Sequence, residues 1–240
     1  MINYITSRNN NKIIHVSKLK NNHKLSKEYQ EFLIEGIKAI ELALKSNLVK
    51  EIYTLKEIKA PYNIPQYIIN ESVLEKISSS VNPEGVVALC QLIEEKVPEK
   101  MDKVVYFDGI SDPGNMGTLI RTALAFNYDA VIISEDSVNL YNQKVINATK
   151  GAMFLIPILI GDISKYRTNQ TIITSTLNEK SISLDELKKP QSFMLVLGNE
   201  AHGVSQKVIN NTDIFVKIPI SNIDSLNVSI AGGILMNHLK

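Results

Sequence analysis

Apolar residues along the chain change their spacing several times. Ile13, Ile14, Val16 and Leu19 fall on one face of a helix. Phe32-Leu33-Ile34 is a short apolar run that stops at Glu35-Gly36. Ile37, Ile40, Leu44 and Leu48 then recur at i, i+3, i+7 and i+11, which predicts an amphipathic helix. Residues 49–55 and 66–69 predict strands. Asn70 or Ser72 is placed to cap a short helix ending near Ser79, and residues 86–92 predict a buried strand. This first part reads as a small alternating α/β domain.

The second part alternates more regularly. Residues 104–107 predict a strand, 108–115 a loop rich in Gly, Pro and Asp, 116–126 a helix and 130–134 the next strand. Strands are further predicted at 172–175, 193–197 and 215–218, and a closing helix at 226–239. Strands separated by helices imply a mostly parallel sheet. Ligands of such sheets sit beyond the C-terminal ends of the strands, which singles out the loops at 108–115, 198–203 and 219–225. Residues 94–100 are charged, carry one proline and separate two apolar stretches. They divide the chain into domains of residues 1–97 and 98–240, with no internal repeat in either.

Composition narrows the class. No uncharged apolar run approaches the roughly 20 residues that cross a bilayer, and Met1-Ile2-Asn3-Tyr4 shows no apolar leader, so a cytoplasmic protein without membrane contact is expected. Cys90 is the sole cysteine, which excludes an internal disulfide or a cysteine-based zinc site. The net charge of +1 hides an asymmetry: residues 1–60 hold 11 basic and 6 acidic side chains, the remainder 15 and 19. No acid precedes Glu28, whereas Arg8, Lys12, Lys18, Lys20, Lys24 and Lys27 all do. A basic end on a nearly neutral protein suits a polyanion such as RNA; a solvated helix without a partner suits the same charges equally.

Three loops carry candidate chemistry. In the first, Asn115 is placed to cap a helix, Gly117 permits close approach, and Arg121 follows within two turns. The motifs G-x-G-x-x-G and G-x-x-x-x-G-K-[ST] are both absent. Taken alone, this loop fits a capped helix with one surface arginine slightly better than a site. In the second, the apolar stretch 194–197 runs directly into Gly198-Asn199-Glu200, and a carboxylate at the end of a buried strand is a candidate site group. His202 reads as a surface residue. In the third, Asp224 or Ser225 is placed to cap the last helix, with Asn227 and Ser229 in its first turn. Ala231-Gly232-Gly233 then costs about 1 kcal/mol per glycine, tolerable where another backbone passes close by.

Together these loops resemble the three motifs of the SpoU (TrmH-like) branch of the SPOUT RNA 2′-O-methyltransferases. They read N-x-G-x-x-x-R at Asn115, Gly117 and Arg121, G-x-E-x-x-G at Gly198, Glu200 and Gly203, and I-P-I then S-L-N-V-S at Ile218–Ile220 and Ser225–Ser229. The resemblance covers residues 102–240. A looser one, through Thr6-Ser7-Arg8-Asn9 and Phe32–Gly36, links residues 1–93 to the substrate-binding domain of many members.

The resemblance implies a C-terminal SPOUT domain with a parallel sheet and a deep trefoil knot, preceded by a small α/β RNA-binding domain resembling a ribosomal-protein fold. It implies a homodimer, S-adenosylmethionine as cofactor, no metal, and methyl transfer to a ribose 2′-hydroxyl, in rRNA by analogy with members that carry the extra domain. Asn115, Arg121, Glu200, Ser225 and Asn227 match the catalytic set. Leu197, Gly198, Asn199, Gly203, Ile218, Ile220 and Leu226 fall where the cofactor binds, and Arg8, Lys12, Lys18, Lys20 and Lys144 are expected to contact RNA. The chain departs from the family at Asn147, where an arginine is usual, and at Ala201, where glycine is common. The competing readings are a tRNA 2′-O-methyltransferase, a non-catalytic RNA-binding protein and a nucleotide-dependent oxidoreductase. The intact polar set opposes the second, and the missing dinucleotide fingerprint opposes the third.

Overall fold

The computed structural model describes residues 2–61 and 63–240. They cluster into two compact units: one runs to Glu94 and takes in Asn139–Phe154, the other comprises Glu95–Val138 and Leu155–Lys240.

The first unit contains β1 (Ile2–Ile5), α1 (Asn11–Asn21), α2 (His23–Tyr29), β2 (Glu31–Glu35), α3 (Ile37–Lys45), β3 (Val49–Thr54), β4 (Gln66–Ile69), α4 (Glu71–Ile77) and β5 (Val86–Gln91). Its five strands lie in the order β1-β4-β3-β5-β2. β4 pairs in parallel with β1 and β3, while β5 runs antiparallel to β2 and β3, so the sheet is mixed. Ile13 and Val16 of α1, Tyr53 of β3, Ile69 of β4, Val73 and Ile77 of α4 and Val87 of β5 form one buried cluster. Helix starts are satisfied by asparagines: Asn10 accepts from Lys12 N at 2.9 Å, and Asn70, not Ser72, accepts from Val73 N at 3.0 Å.

The second unit begins with β6 (Lys103–Asp108), α5 (Pro113–Ala125) and β7 (Ala130–Ile133). The chain then passes through α6 (Gln143–Thr149), which packs with the first unit. Sequence periodicity places residues 139–154 in the second domain. Phe32 of β2 draws them to the first, because its ring meets Tyr141 at 5.0 Å and Phe154 at 6.3 Å. Gln143 Nε2 also donates to the Leu33 carbonyl at 3.3 Å.

The remaining elements are β8 (Ile158–Ile160), α7 (Ile163–Tyr166), β9 (Thr171–Ser175), β10 (Ile182–Ser183), β11 (Phe193–Gly198), α8 (Gln206–Asn211), β12 (Ile214–Lys217) and α9 (Val228–His238). Seven strands form a wholly parallel sheet in the order β10-β12-β9-β11-β6-β7-β8. Successive residues Val104–Phe107 and Phe193–Leu197 are all buried, as expected when both faces of a parallel sheet are covered. β6 and β11 are central neighbours and end in register at Asp108 and Gly198. Their exits carry two of the three candidate loops.

Candidate functional site

β6 leaves the sheet through a four-residue loop, 109–112, and enters α5 at Pro113, whose fixed φ suits the first helical position. The cap is Asp112, whose Oδ1 accepts from Asn115 N at 2.7 Å, and not Asn115 as the sequence suggested. Relieved of capping, Asn115 keeps its side-chain amide free for other partners.

β11 ends at Gly198, where the chain doubles back. Asn199 and Gly203 exchange two backbone hydrogen bonds of 2.8 and 2.9 Å. Asn199 Oδ1 accepts from the N–H groups of Ala201 and His202, and its Nδ2 donates to the Gly109 carbonyl at 2.6 Å. The turn is thereby pinned to the β6 loop. A Cβ at Gly198 would stand 2.6 Å from the Gly203 carbonyl carbon, so only glycine fits this reversal. Asp108 adds a second tie, accepting from Ser205 N at 2.6 Å and Ser205 Oγ at 3.2 Å.

The pinned turn aims Glu200 at the start of α5. Its Oε2 accepts from Ser111 Oγ at 2.9 Å and Ser111 N at 3.2 Å; its Oε1 accepts from Asn115 Nδ2 at 2.9 Å and Asp112 N at 3.4 Å. Burial raises the carboxyl pKa, but the donors from Asn115, its own backbone and Ser111 outweigh it and hold the group below the usual range. Asn115 Oδ1 in turn accepts from Asn227 Nδ2 at 3.0 Å. Asn227 Oδ1 accepts from Ser229 N at 2.9 Å and Ser229 Oγ at 2.6 Å. Asn227 is therefore the cap of α9, in place of Asp224 or Ser225, because residues 221–226 stay non-helical along the rim of a cavity. Ser111, Glu200, Asn115, Asn227 and Ser229 form one continuous relay. Ser111 was not singled out from sequence; its only signal was a hydroxyl directly before the Asp-Pro cap.

Beside the relay lies a cavity of about 610 Å³, within the roughly 300–1,000 Å³ of small-molecule sites. Leu197, Gly198, Asn199, Gly203, Ile218, Ile220 and Leu226 all line it, together with Glu200, Ser225 and Asn227. Branched aliphatic walls suit a flat heterocycle, and the exposed strand-end amides and carbonyls suit its polar edge. Gly232 lets α9 close the crevice: a Cβ there would overlap Leu119 of α5 and come 2.8 Å from Leu197 Cδ1, whereas Gly233 faces open space.

Arg121 stands apart. It is exposed on α5, and no hydrogen bond or ion pair is described for it. Ser225 lines the cavity without joining the relay. No group of three or more His, Cys, Asp or Glu among the described residues forms a metal site, and no described helix is long and apolar enough to cross a membrane. The basic residues of the first unit differ in availability. Lys12 is held by Glu51, lies 5.1 Å over the Tyr67 ring and has its pKa raised, the Glu51 hydrogen bond being the main cause. Arg8 and Lys18 are exposed, whereas Lys20 and Lys144, far apart in sequence, line one cavity.

The SpoU rRNA methylase family profile matches residues 102–237, and that of an MRM3-like substrate-binding domain matches residues 10–88. A 23S rRNA (guanosine(2553)-2′-O)-methyltransferase of Bacillus subtilis is 31% identical over 98% of this chain and 98% of its own. A TrmH-family protein from Porphyromonas gingivalis superposes with a TM-score of 0.87 at 26% identity, over 98% of each chain. An rRNA methyltransferase from Sinorhizobium meliloti, solved with AdoMet bound, superposes with a TM-score of 0.88 over 99% of this chain and 97% of its own. Its 24% identity speaks to the fold.

Proposed function

The chain belongs to the SpoU rRNA methylase family, and on that footing we propose that it transfers a methyl group from S-adenosylmethionine to a ribose 2′-hydroxyl of ribosomal RNA. The observation that carries the reading is the Glu200–Asn115–Asn227 relay on the rim of a cavity sized for the cofactor. The near-complete overlap with the rRNA-specific Bacillus subtilis relative favours rRNA over tRNA.

The cofactor would lie against Leu197, Ile218, Ile220 and Leu226 and the backbone of Gly198–Asn199, and would supply an electrophilic methyl on its sulfonium. The chain must hold the acceptor oxygen in line and manage one proton. Glu200 has each oxygen occupied by donors and stays ionised, so its part is to fix Asn115. Asn115 and Asn227 lock each other's amides, which sets one polar edge at the cavity mouth before substrate arrives. Arg121 keeps its proton, since guanidinium pKa values exceed roughly 12. Its role is to bind an RNA phosphate and to stabilise charge developing on the 2′-oxygen.

The same membership supports a trefoil knot, for which the tight crossings at Gly198 and Gly232 leave room, and a homodimer acting in the cytoplasm. Ile223, Ile230 and Ile234 are 56%, 57% and 38% exposed, an apolar face that a second copy would cover. The test is transfer of labelled methyl from S-adenosylmethionine to unmodified 23S rRNA and, in parallel, to bulk tRNA. Transfer to rRNA alone is expected; transfer to tRNA alone overturns the substrate assignment.

A further inference from the structure

The first unit holds a two-lobed trough that the relay and the cofactor cavity do not use. The larger lobe has a volume of about 530 Å³ and the smaller about 310 Å³. Asn147 lines both. Its Nδ2 donates to Ser79 Oγ at 3.2 Å, and its Oδ1 accepts from Gln143 Nε2 at 3.3 Å. Ser79 donates onward to Glu35, through its backbone N–H at 2.6 Å and through its hydroxyl, and Ser78 Oγ adds a bond of 2.5 Å. Burial pulls the Glu35 carboxyl up, but these donors outweigh it, so the dividing wall is rigid and its hydrogen bonds are internally satisfied.

The lobes differ in chemistry. The smaller carries Lys20 and Lys144 with no carboxylate in its lining, and is an anion site by charge. Lys20 makes only a long 3.4 Å contact with the Glu75 carbonyl, and no ion pair is described for Lys144. The larger sets Ile34 and Phe154 opposite Asn82 and Glu84, with Lys38 and Lys150 also on its lining. Glu84 spends Oε2 on Ile37 N at 3.2 Å, and no hydrogen bond is described for its Oε1. An apolar wall facing an amide and a carboxylate suits the flat face and hydrogen-bonding edge of a base. A base and a phosphate a short step apart belong to one polymer. The lobe is too narrow for a duplex, and unpaired bases are what RNA-binding proteins read edge-on.

We propose that this trough binds one unpaired nucleotide of the RNA substrate, its phosphate between Lys20 and Lys144 and its base in the lobe bounded by Phe154, Asn82 and Glu84. The proposal rests on the reading of the chain as an RNA-modifying enzyme. It departs from a simple division of labour, because Lys144, Asn147 and Phe154 lie outside the matched substrate-binding segment, residues 10–88. RNA recognition is then shared between the segment before residue 95 and the excursion at 139–154.

The test uses the full chain and a fluorescein-labelled, unstructured RNA oligonucleotide, titrated at several salt concentrations. K20A/K144A should weaken binding about tenfold and flatten the slope of log affinity against log salt by roughly 1.4, at ~0.7 per lost phosphate contact. Its S-adenosylmethionine affinity, read by calorimetry, should match wild type and certify the fold. Photocrosslinking of wild-type protein to 4-thiouridine RNA should label peptides containing Asn82 or Phe154, and needs no variant. Unchanged affinity and slope in the folded double variant, or crosslinks confined outside the trough, overturns the proposal. If the variant loses oligonucleotide binding while wild type methylates no RNA, the trough stands and the methyltransferase reading falls. If wild type methylates rRNA and the variant binds as wild type does, the reverse holds.

Discussion

Glu200→Gln changes one oxygen to an NH₂ group, and the relay converts that small change into a conflict. If the glutamine oxygen stays toward Ser111, keeping the 2.9 and 3.2 Å bonds there, its NH₂ meets Asn115 Nδ2, which now has no acceptor. Asn115 resolves this only by turning its amide over, which presents its NH₂ to Asn227 Nδ2. Asn227 must then turn as well and withdraws Oδ1 from Ser229 N, uncapping α9. The molecule settles for the cheapest fault: an unmet donor pair at about 1–3 kcal/mol, or a lost cap at about 1 kcal/mol. Partial exposure of Glu200 lowers the first figure. The variant should lose roughly 1–2 kcal/mol, which is about 2–8 °C in Tm for a chain of this size. The same energy withheld from the ordered acceptor site lowers kcat/KM for methyl transfer about 5- to 30-fold. Thermal melts and initial rates check both. A variant that melts and turns over within twofold of wild type refutes the idea that Glu200 acts by fixing Asn115.

Three further outcomes follow from the same geometry. Arg121→Ala should abolish methyl transfer while S-adenosylmethionine affinity by calorimetry stays near wild type, since Arg121 is absent from the cavity lining; lost cofactor binding contradicts its role. Gly198→Ala forces a Cβ to within 2.6 Å of the Gly203 backbone, and overpacking of this kind costs about 1–3 kcal/mol; a lower Tm and lost cofactor affinity are expected, and a fully binding variant argues against the tight reversal. Glu200 is held below the ordinary carboxylate pKa, so its contribution is complete above about 4.3 and is lost only as pH falls through the lower folded value. A carboxyl NMR titration of Glu200 with a midpoint above about 5 counts against the donor set.

The central strands were legible because a buried parallel strand leaves an uninterrupted apolar run, as at Val104–Phe107 and Phe193–Leu197. The three loops were legible because Gly, Pro and Asn mark strand exits. Neighbouring details were not. Local spacing allowed Asn115, Asp224 or Ser225 as caps, but the fold uses Asp112 and Asn227, since Pro113 fixes where α5 begins and residues 221–226 stay non-helical beside the cavity. α6 has helical spacing but too few turns to stand out, and its membership of the first unit depends on Phe32, more than 100 residues earlier in the chain. Lys12 looked as available as Lys18 until the fold brought Glu51 beside it. Ser111 carried no motif, yet it supplies two of the donors that hold Glu200.

The most direct test of the central claim is where the transferred methyl resides. After reaction of the full chain with labelled S-adenosylmethionine and unmodified 23S rRNA, the RNA is hydrolysed in alkali. Methylation of a 2′-hydroxyl removes the internal nucleophile of strand cleavage, so the account predicts label in an alkali-resistant dinucleotide from a single position. Label released as a base-modified mononucleotide would contradict it.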